Sequence, residues 1–162
     1  MRHVPIETVA PTNCIKAEQV RALESVRHLS ERFPDAGLRS VAVLRAPTFD
    51  RKADPEGRTK IWLALENLQI TGSFKIRGAL CAVDDARMAG HTHVVAASAG
   101  NHGVGIAHAA RALGLQARVF IPECAPKNKI DKMVAAGAIV DFCENGYDEA
   151  ERWTGLGTGP WY

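Results

Sequence analysis

Two stretches, TGSFKIRGA (Thr71 to Ala79) and SAGNHGVG (Ser98 to Gly105), determine how this chain of 162 residues is interpreted. Each follows an apolar run typical of a strand and precedes a segment with helical spacing of apolar residues. The first run is IWLALE at Ile61 to Glu66, and the second is HVVAA at His93 to Ala97. Both stretches are therefore predicted to connect a strand to a helix.

From residue 61 onward the predicted elements alternate regularly between strand and helix. This alternation predicts an α/β fold, an open parallel sheet with flanking helices and right-handed crossovers. Ligands of such sheets bind at the carboxyl ends of the strands. Because both stretches follow strand ends, we expect them to face one shared site.

The first stretch places Lys75 in the first turn of a helix predicted over residues 74–88. The positive end of the helix dipole and partial burial beside Phe74 both disfavour a charged ammonium group. A neutral amine is a nucleophile toward an aldehyde. The plainer interpretation is a solvated lysine beside Arg77 on a polar helix face.

The second stretch places its glycines in a turn before a helix predicted from Ile106 to Gly114. Backbone N–H groups at such a turn bind carboxylate or phosphate, and glycine lets the backbone approach the ligand closely. A tight connection without a ligand is the alternative. A dinucleotide site fits poorly, because Gly100, Gly103 and Gly105 read G-x-x-G-x-G instead of G-x-G-x-x-G.

Together, ENLQITGSFKIRGA and SAGNHGVGIAHAA resemble the fold type II (β-family) pyridoxal-phosphate enzymes, and most closely the threonine dehydratase and serine racemase group. The resemblance runs from about Leu44 to Glu151 and includes IPECAPKNKIDKMVAAGAIV at residues 121–140. It implies pyridoxal 5′-phosphate as the cofactor and a small amino acid as the substrate. The implied reaction is β-elimination, which converts threonine or serine to a keto acid and ammonia.

The resemblance also implies roles for individual residues. Lys75 is the implied catalytic residue, which holds the cofactor as a Schiff base and then moves the Cα proton of the substrate. Phe74 and Asn101 are implied to contact the cofactor, Asn101 through the phenolic oxygen of the ring. The residues implied to bind the substrate carboxylate are Ser98, Ala99, Gly100, Asn101 and His102.

Members of that family are longer than this chain, and their second half supplies the phosphate-binding loop. We therefore expect a truncated enzyme, with a helical extension at 1–43, an α/β region at 44–153 and an irregular tail at 154–162. The extension contains an amphipathic helix predicted at 16–33, which Pro34 ends. An incomplete fold leaves apolar surface uncovered, which favours a homo-oligomer or a complementing chain.

Two alternatives stay open at this point. The first is an α/β remnant without catalysis that binds an anion, a partner chain or nothing. The second is another enzyme of the same family, such as a racemase or a cysteine synthase.

Composition excludes several other classes of protein. A content of 46% hydrophobic and 23% charged residues is typical of globular proteins, and the net charge of +2 does not favour nucleic acid. Lys127, Lys129 and Lys132 surround Asp131 and are predicted to form a solvated helix face. No membrane span or secretory leader is evident. The four cysteines contain no C-x-x-C pair, which predicts reduced thiols, no metal site and a cytoplasmic protein.

Overall fold

Strands and helices alternate through the second half of the chain, as a parallel α/β fold requires. The computed structural model describes residues 28–45 and 62–143. Short 3-10 helices lie at Pro34–Ala36 and Glu66–Leu68. Besides the helical residues 28–32, the strands and α-helices are, in chain order, β1 (Val43–Arg45), β2 (Trp62–Ala64), α1 (Lys75–Met88), β3 (His93–Ala97), α2 (Asn101–Leu113), β4 (Gln116–Pro122), α3 (Lys127–Ala135) and β5 (Ile139–Cys143).

A parallel sheet in the order β3-β4-β5 forms the centre of the described fold. Helix α2 connects β3 to β4, and helix α3 connects β4 to β5. Burial alternates along β4, as expected for a strand with one face against helices. Its buried residues are Ala117, Val119 and Ile121. The predicted α/β fold with a parallel sheet and flanking helices is confirmed.

Helix α2 lies at the centre of the helical layer and packs against α1, α3 and the strands. Most of its residues are buried, and many of them are alanine or glycine, which let neighbouring elements approach closely. The core around it also contains large apolar side chains from three other elements. The fully buried ones are Ile76, Leu80, Val83, Val119, Ile121 and Met133.

Strand β2 differs from the prediction. The run at residues 61–66 was expected to join the parallel sheet, but β2 pairs with β1 in a separate antiparallel sheet, with Leu44 opposite Leu63. Leu63 and Ala64 are both exposed. Central parallel strands are buried on both faces, so these exposed side chains fit a small two-stranded sheet instead.

The region before β1 packs into the same core. Residues 28–32 are helical, and the helix ends before Pro34, as predicted. Phe33 and Ala36 are buried in the cluster that also contains α1 and α2. The rest of the helix predicted at 16–33 and the tail at 154–162 lie outside the described residues. The division of the chain at residues 43 and 153 stays a prediction.

Candidate functional site

Lys75 lies in the first turn of α1, as the sequence predicted, and is its first residue; a short loop of buried polar side chains precedes it. The Thr71 hydroxyl donates to the Ser73 carbonyl at 3.3 Å, and the Ser73 hydroxyl accepts the backbone N–H of Lys75 at 3.4 Å. Gly72 between them has a φ of +78°, which favours glycine. These contacts stabilise the start of α1.

The Lys75 side chain is exposed, so the partial burial predicted beside Phe74 is wrong. Its Nζ lies 5.4 Å from the centre of the Phe74 ring, a cation–π distance, but Phe74 is itself 58% exposed. Phe74 occupies the N-cap position of α1, and its side chain makes no capping hydrogen bond. Arg77, by contrast, is half-buried and forms an ion pair with Glu66. The helix face near Lys75 is therefore not simply a solvated polar face.

The second stretch forms the beginning of α2 instead of a turn before it. The Ser98 hydroxyl accepts the backbone N–H groups of Gly100 at 3.3 Å and Gly103 at 3.0 Å. This contact satisfies an N–H of the first turn, and α2 begins at Asn101, earlier than predicted. In the described part of the chain, the N–H groups of Asn101 and His102 have no acceptor. They are available to an anion at the positive end of the helix.

Two glycines of α2 allow the close contacts that assemble this region. A Cβ at Gly103 would lie 2.8 Å from the Ser98 carbonyl oxygen and 2.8 Å from Cε of Met133. A Cβ at Gly105 would lie 3.3 Å from the carbonyl carbon and oxygen of Lys75. Because Gly103 has no side chain, α3 and the Ser98 loop can pack closely against α2 there. Gly105 allows the start of α1 to approach α2 in the same way.

Lys75 and His102 share a cleft of about 460 Å³. His102 is half-buried, and its pKa is lowered, first by burial and then by the positive charge of Lys75. Phe74, Cys81 and Asp85 also line the cleft. The structure thus brings the amine of the first stretch and the imidazole of the second into one cavity.

The other predicted residues lie around this cleft without lining it. Ser98 is buried beneath the start of α2, and Ala99 and Gly100 are half-buried. Asn101 is exposed and faces α3, where its Oδ1 accepts a hydrogen bond from Nζ of Lys129. Asn101 and Lys75 therefore lie at the N-termini of two packed helices, α2 and α1.

Lys129 is the residue near the site that sequence reasoning missed. The solvated helix face predicted for the lysines of α3 describes Lys127, which is exposed and pairs with Asp131 at 2.8 Å. Lys129 contacts Asn101 instead, at a sequence separation of 28 residues. No local spacing signals a contact of this kind, because the packing of α3 on α2 creates it.

Within the described ranges, no group of three His, Cys, Asp or Glu side chains could hold a metal ion. Cys81 and Cys124 are free thiols. None of the helices in the described ranges is long and apolar enough to cross a bilayer. The cytoplasmic location stays a prediction.

Comparison with known proteins agrees with the resemblance seen in the sequence. The profile of the family described as "Pyridoxal-phosphate dependent enzyme" matches residues 37–156. An L-threonine ammonia-lyase of Thermotoga maritima is 47% identical over 95 residues, which are 56% of this chain and 23% of that protein. An L-threo-3-hydroxyaspartate ammonia-lyase of a Pseudomonas species is 42% identical over 113 residues, 67% of this chain and 34% of that protein.

The crystal structure of a pyridoxal 5′-phosphate-dependent aspartate racemase superimposes with a TM-score of 0.66 at 33% identity. The match covers 82% of this chain and 42% of the racemase. The chain thus spans less than half the length of each of these three proteins.

Proposed function

The chain belongs to the family of pyridoxal-phosphate dependent enzymes, and we propose that it supplies the lysine-bearing part of an ammonia-lyase for β-hydroxy amino acids such as threonine and serine. Its cofactor is pyridoxal 5′-phosphate. The observation that carries the proposal is the cleft that Lys75 and His102 both line, beside N–H groups at the start of α2 that have no acceptor among the described residues.

Three side chains near the cleft offer groups suited to the aldehyde, the phenolic oxygen and the ring of the cofactor. The primary amine of Lys75 is exposed in an open cleft, where it is accessible to an aldehyde. The side-chain amide of Asn101 is a suitable donor for the phenolic oxygen of the ring, and Phe74 offers an exposed aromatic face. When bound, the cofactor supplies an electron sink for the electrons left at Cα after proton removal.

The residues of this chain bind the substrate and move its proton. The N–H groups of Asn101 and His102, with the Ser98 hydroxyl, form a cradle for the α-carboxylate. Lys75 would hold the cofactor through its amine, and the same amine, when free, would be the base that takes the Cα proton. His102 stays neutral near pH 7 because its pKa is lowered, and it contributes a hydrogen bond instead of a second cation.

Elimination then requires a leaving group on the β-carbon. The names of the two relatives above refer to threonine and to threo-3-hydroxyaspartate, which both carry an amino group at Cα and a hydroxyl at Cβ. This shared chemistry supports a β-hydroxy amino acid as the substrate class. Racemisation would use the same proton removal at Cα without loss of the hydroxyl.

The first experiment is a titration of the protein with pyridoxal phosphate, followed by borohydride reduction and peptide mass spectrometry. We expect a reduced adduct on Lys75 and none at that position in Lys75→Ala. Lys127→Ala is the matched control, because Lys127 is an exposed lysine held by Asp131 outside the cleft. A reduced adduct at other lysines but not at Lys75 would contradict the proposal and favour a non-catalytic remnant. Equal loss of the adduct in Lys127→Ala would do the same.

The second experiment measures turnover of threonine and serine. Release of keto acid and ammonia supports the lyase, whereas formation of the D-isomer without ammonia would identify a racemase. An adduct on Lys75 without either product would restrict the proposal to cofactor binding, and complementation would then be tested by adding the part of a relative that the match does not cover.

A further inference from the structure

The contact between Lys129 and Asn101 fixes the orientation of an amide. The Lys129 ammonium donates to Oδ1 of Asn101. An ammonium group has three donors and no acceptor, so the oxygen of the amide, and not its NH2 group, must face it. In the described part of the chain, the NH2 group of Asn101 has no acceptor. It is therefore left to donate elsewhere.

This contact differs from the other lysine contact of α3. Lys127 is 86% exposed and forms an ion pair with Asp131 one turn later. Lys129 is half-buried, and no carboxylate among residues 28–45 and 62–143 lies within ion-pair distance of it. A partly buried cation without a counter-ion is costly unless it is hydrogen-bonded. The Asn101 oxygen provides that hydrogen bond.

The packing of α3 on α2 places Lys129 beside Asn101. Met133, one turn after Lys129 on the same face of α3, is fully buried, and its Cε lies 2.8 Å from the Cβ position of Gly103. Gly103 and Asn101 belong to the same first turn of α2. The helix contact that buries Met133 therefore also carries Lys129 to Asn101.

We propose that Lys129 is a positioning residue, which holds the Asn101 amide so that its NH2 group faces the phenolic oxygen of the cofactor. The inference rests on the proposed function, in which Asn101 contacts that oxygen. A flipped amide would set two oxygen acceptors against each other without a proton between them. The ammonium group also polarises the amide, which strengthens its N–H as a donor.

The test compares Lys129→Met with Lys127→Met, which removes the same charge from the same helix. We expect Lys129→Met to weaken binding of pyridoxal phosphate about tenfold, the effect of losing one good hydrogen bond. A donor on an oxygen favours its deprotonated form, so the pH midpoint of the visible absorbance of the bound cofactor should rise. Lys127→Met should change neither value. Lys129→Arg should restore both, because a guanidinium group can also donate to the amide oxygen.

A double-mutant cycle separates positioning from a general structural role. In an Asn101→Ala background, Lys129→Met should have no further effect on the affinity or on the pH midpoint. Additive effects of the two substitutions would overturn the inference. So would wild-type affinity and a wild-type pH midpoint in a Lys129→Met protein that circular dichroism shows to be folded. If Lys129→Met does not fold, Lys129→Ala, which also lacks a donor, takes its place in the cycle.

The same measurements distinguish failure of the inference from failure of the proposed function. A wild-type protein without an adduct on Lys75 would contradict the proposed function, and the positioning role would fall with it. A normal adduct on Lys75 together with an unaltered Lys129→Met protein would overturn the positioning role alone.

Discussion

Lys75 influences the pKa of His102 across their common cleft. Burial is the larger cause of the lowered pKa of His102, and the charge of Lys75 is the smaller one. A neutral imidazole beside an amine that must lose its proton avoids placing two cations in one cavity.

The His102 pKa is accessible to a nuclear magnetic resonance titration. We expect its midpoint below the usual value of 6.5, and we expect Lys75→Ala to move it upward only part of the way, because burial remains. A midpoint that returns fully to 6.5 in Lys75→Ala would show that charge, not burial, is the main cause.

The same shift predicts how stability depends on pH. Between 6.5 and the lower pKa of the folded state, the unfolded chain binds more protons at His102 than the folded chain does. Stability therefore falls as the pH drops below about 6.5, and His102→Gln should reduce this part of the decrease. Urea unfolding at pH 7 and pH 5.5 would measure the difference between the two proteins.

Among the elements, the packing of α1 on α2 brings the two site loops together. Gly105 permits this approach, because a Cβ there would press on the backbone of Lys75 at 3.3 Å. Gly78, on the exposed side of α1, has nothing within 4 Å of its Cβ position. The two helical glycines therefore have different structural roles and provide a matched pair.

Valine at position 105 should displace the first turn of α1. We expect Gly105→Val to lower the free energy of unfolding by about 1–3 kcal/mol and to reduce the Lys75 adduct. Gly78→Val adds the same atoms in open space, and its unfolding free energy should stay within about 0.5 kcal/mol of wild type. Chemical denaturation of both variants is the measurement, and equal losses would argue against a special role for Gly105.

Asp84 joins the C-terminal part of α1 to the region before β1. Its carboxylate is buried and accepts hydrogen bonds from Arg87 at 2.7 Å and Arg32 at 2.5 Å. These bonds, first that of Arg87 and then that of Arg32, hold the pKa of Asp84 below its usual 3.8 although burial opposes them. The stability from this contact is present above pH 3.8 and is lost as the pH falls through the folded pKa.

Asp84→Asn should therefore lower the free energy of unfolding by about 1–3 kcal/mol at pH 7. It should also make the free energy of unfolding depend less on pH in the acid range. Asp85→Asn removes the exposed neighbouring charge and should change stability by less than about 0.5 kcal/mol. Urea unfolding at pH 7 and pH 3 would test both variants. Similar losses in the two would mean that overall charge, and not the buried contact, is responsible.

At the scale of the whole molecule, one face of the parallel sheet carries a row of exposed side chains within the described ranges. Val95 lies opposite Arg118, and Arg118 lies opposite Ile139, so the three side chains form one row across the sheet. Val95 is 45% and Ile139 41% exposed. Exposed apolar side chains grouped on one face favour association with another surface.

We expect association that depends on concentration, and we expect Val95→Lys with Ile139→Lys to suppress it by placing charge in the row. Met88→Lys is the control, because Met88 is 73% exposed at the end of α1, away from the sheet. Sedimentation velocity over a range of concentrations would report the change. A monomer at every concentration would contradict the expected homo-oligomer.

Much of the fold was predictable because its signals are local. The strand at His93–Ala97 has the predicted bounds, and α1 begins one residue after the predicted start and ends at Met88 as predicted. The bounds of these segments are predicted by apolar runs, by helical spacing of apolar residues and by glycines at the segment ends. The start of α2 was misplaced because glycine is typical of turns, whereas Gly103 and Gly105 lie within the helix.

The sequence by itself determined the α/β class, the position of Lys75 at a helix start and the cofactor family, since short stretches of neighbouring residues carry each of these. Only the tertiary structure decided the antiparallel pairing of β2, the exposure of Lys75 and the contact of Lys129 with Asn101. The reason is physical. Strand partners, burial and long-range hydrogen bonds depend on which elements pack together, and no spacing within a single element specifies that packing.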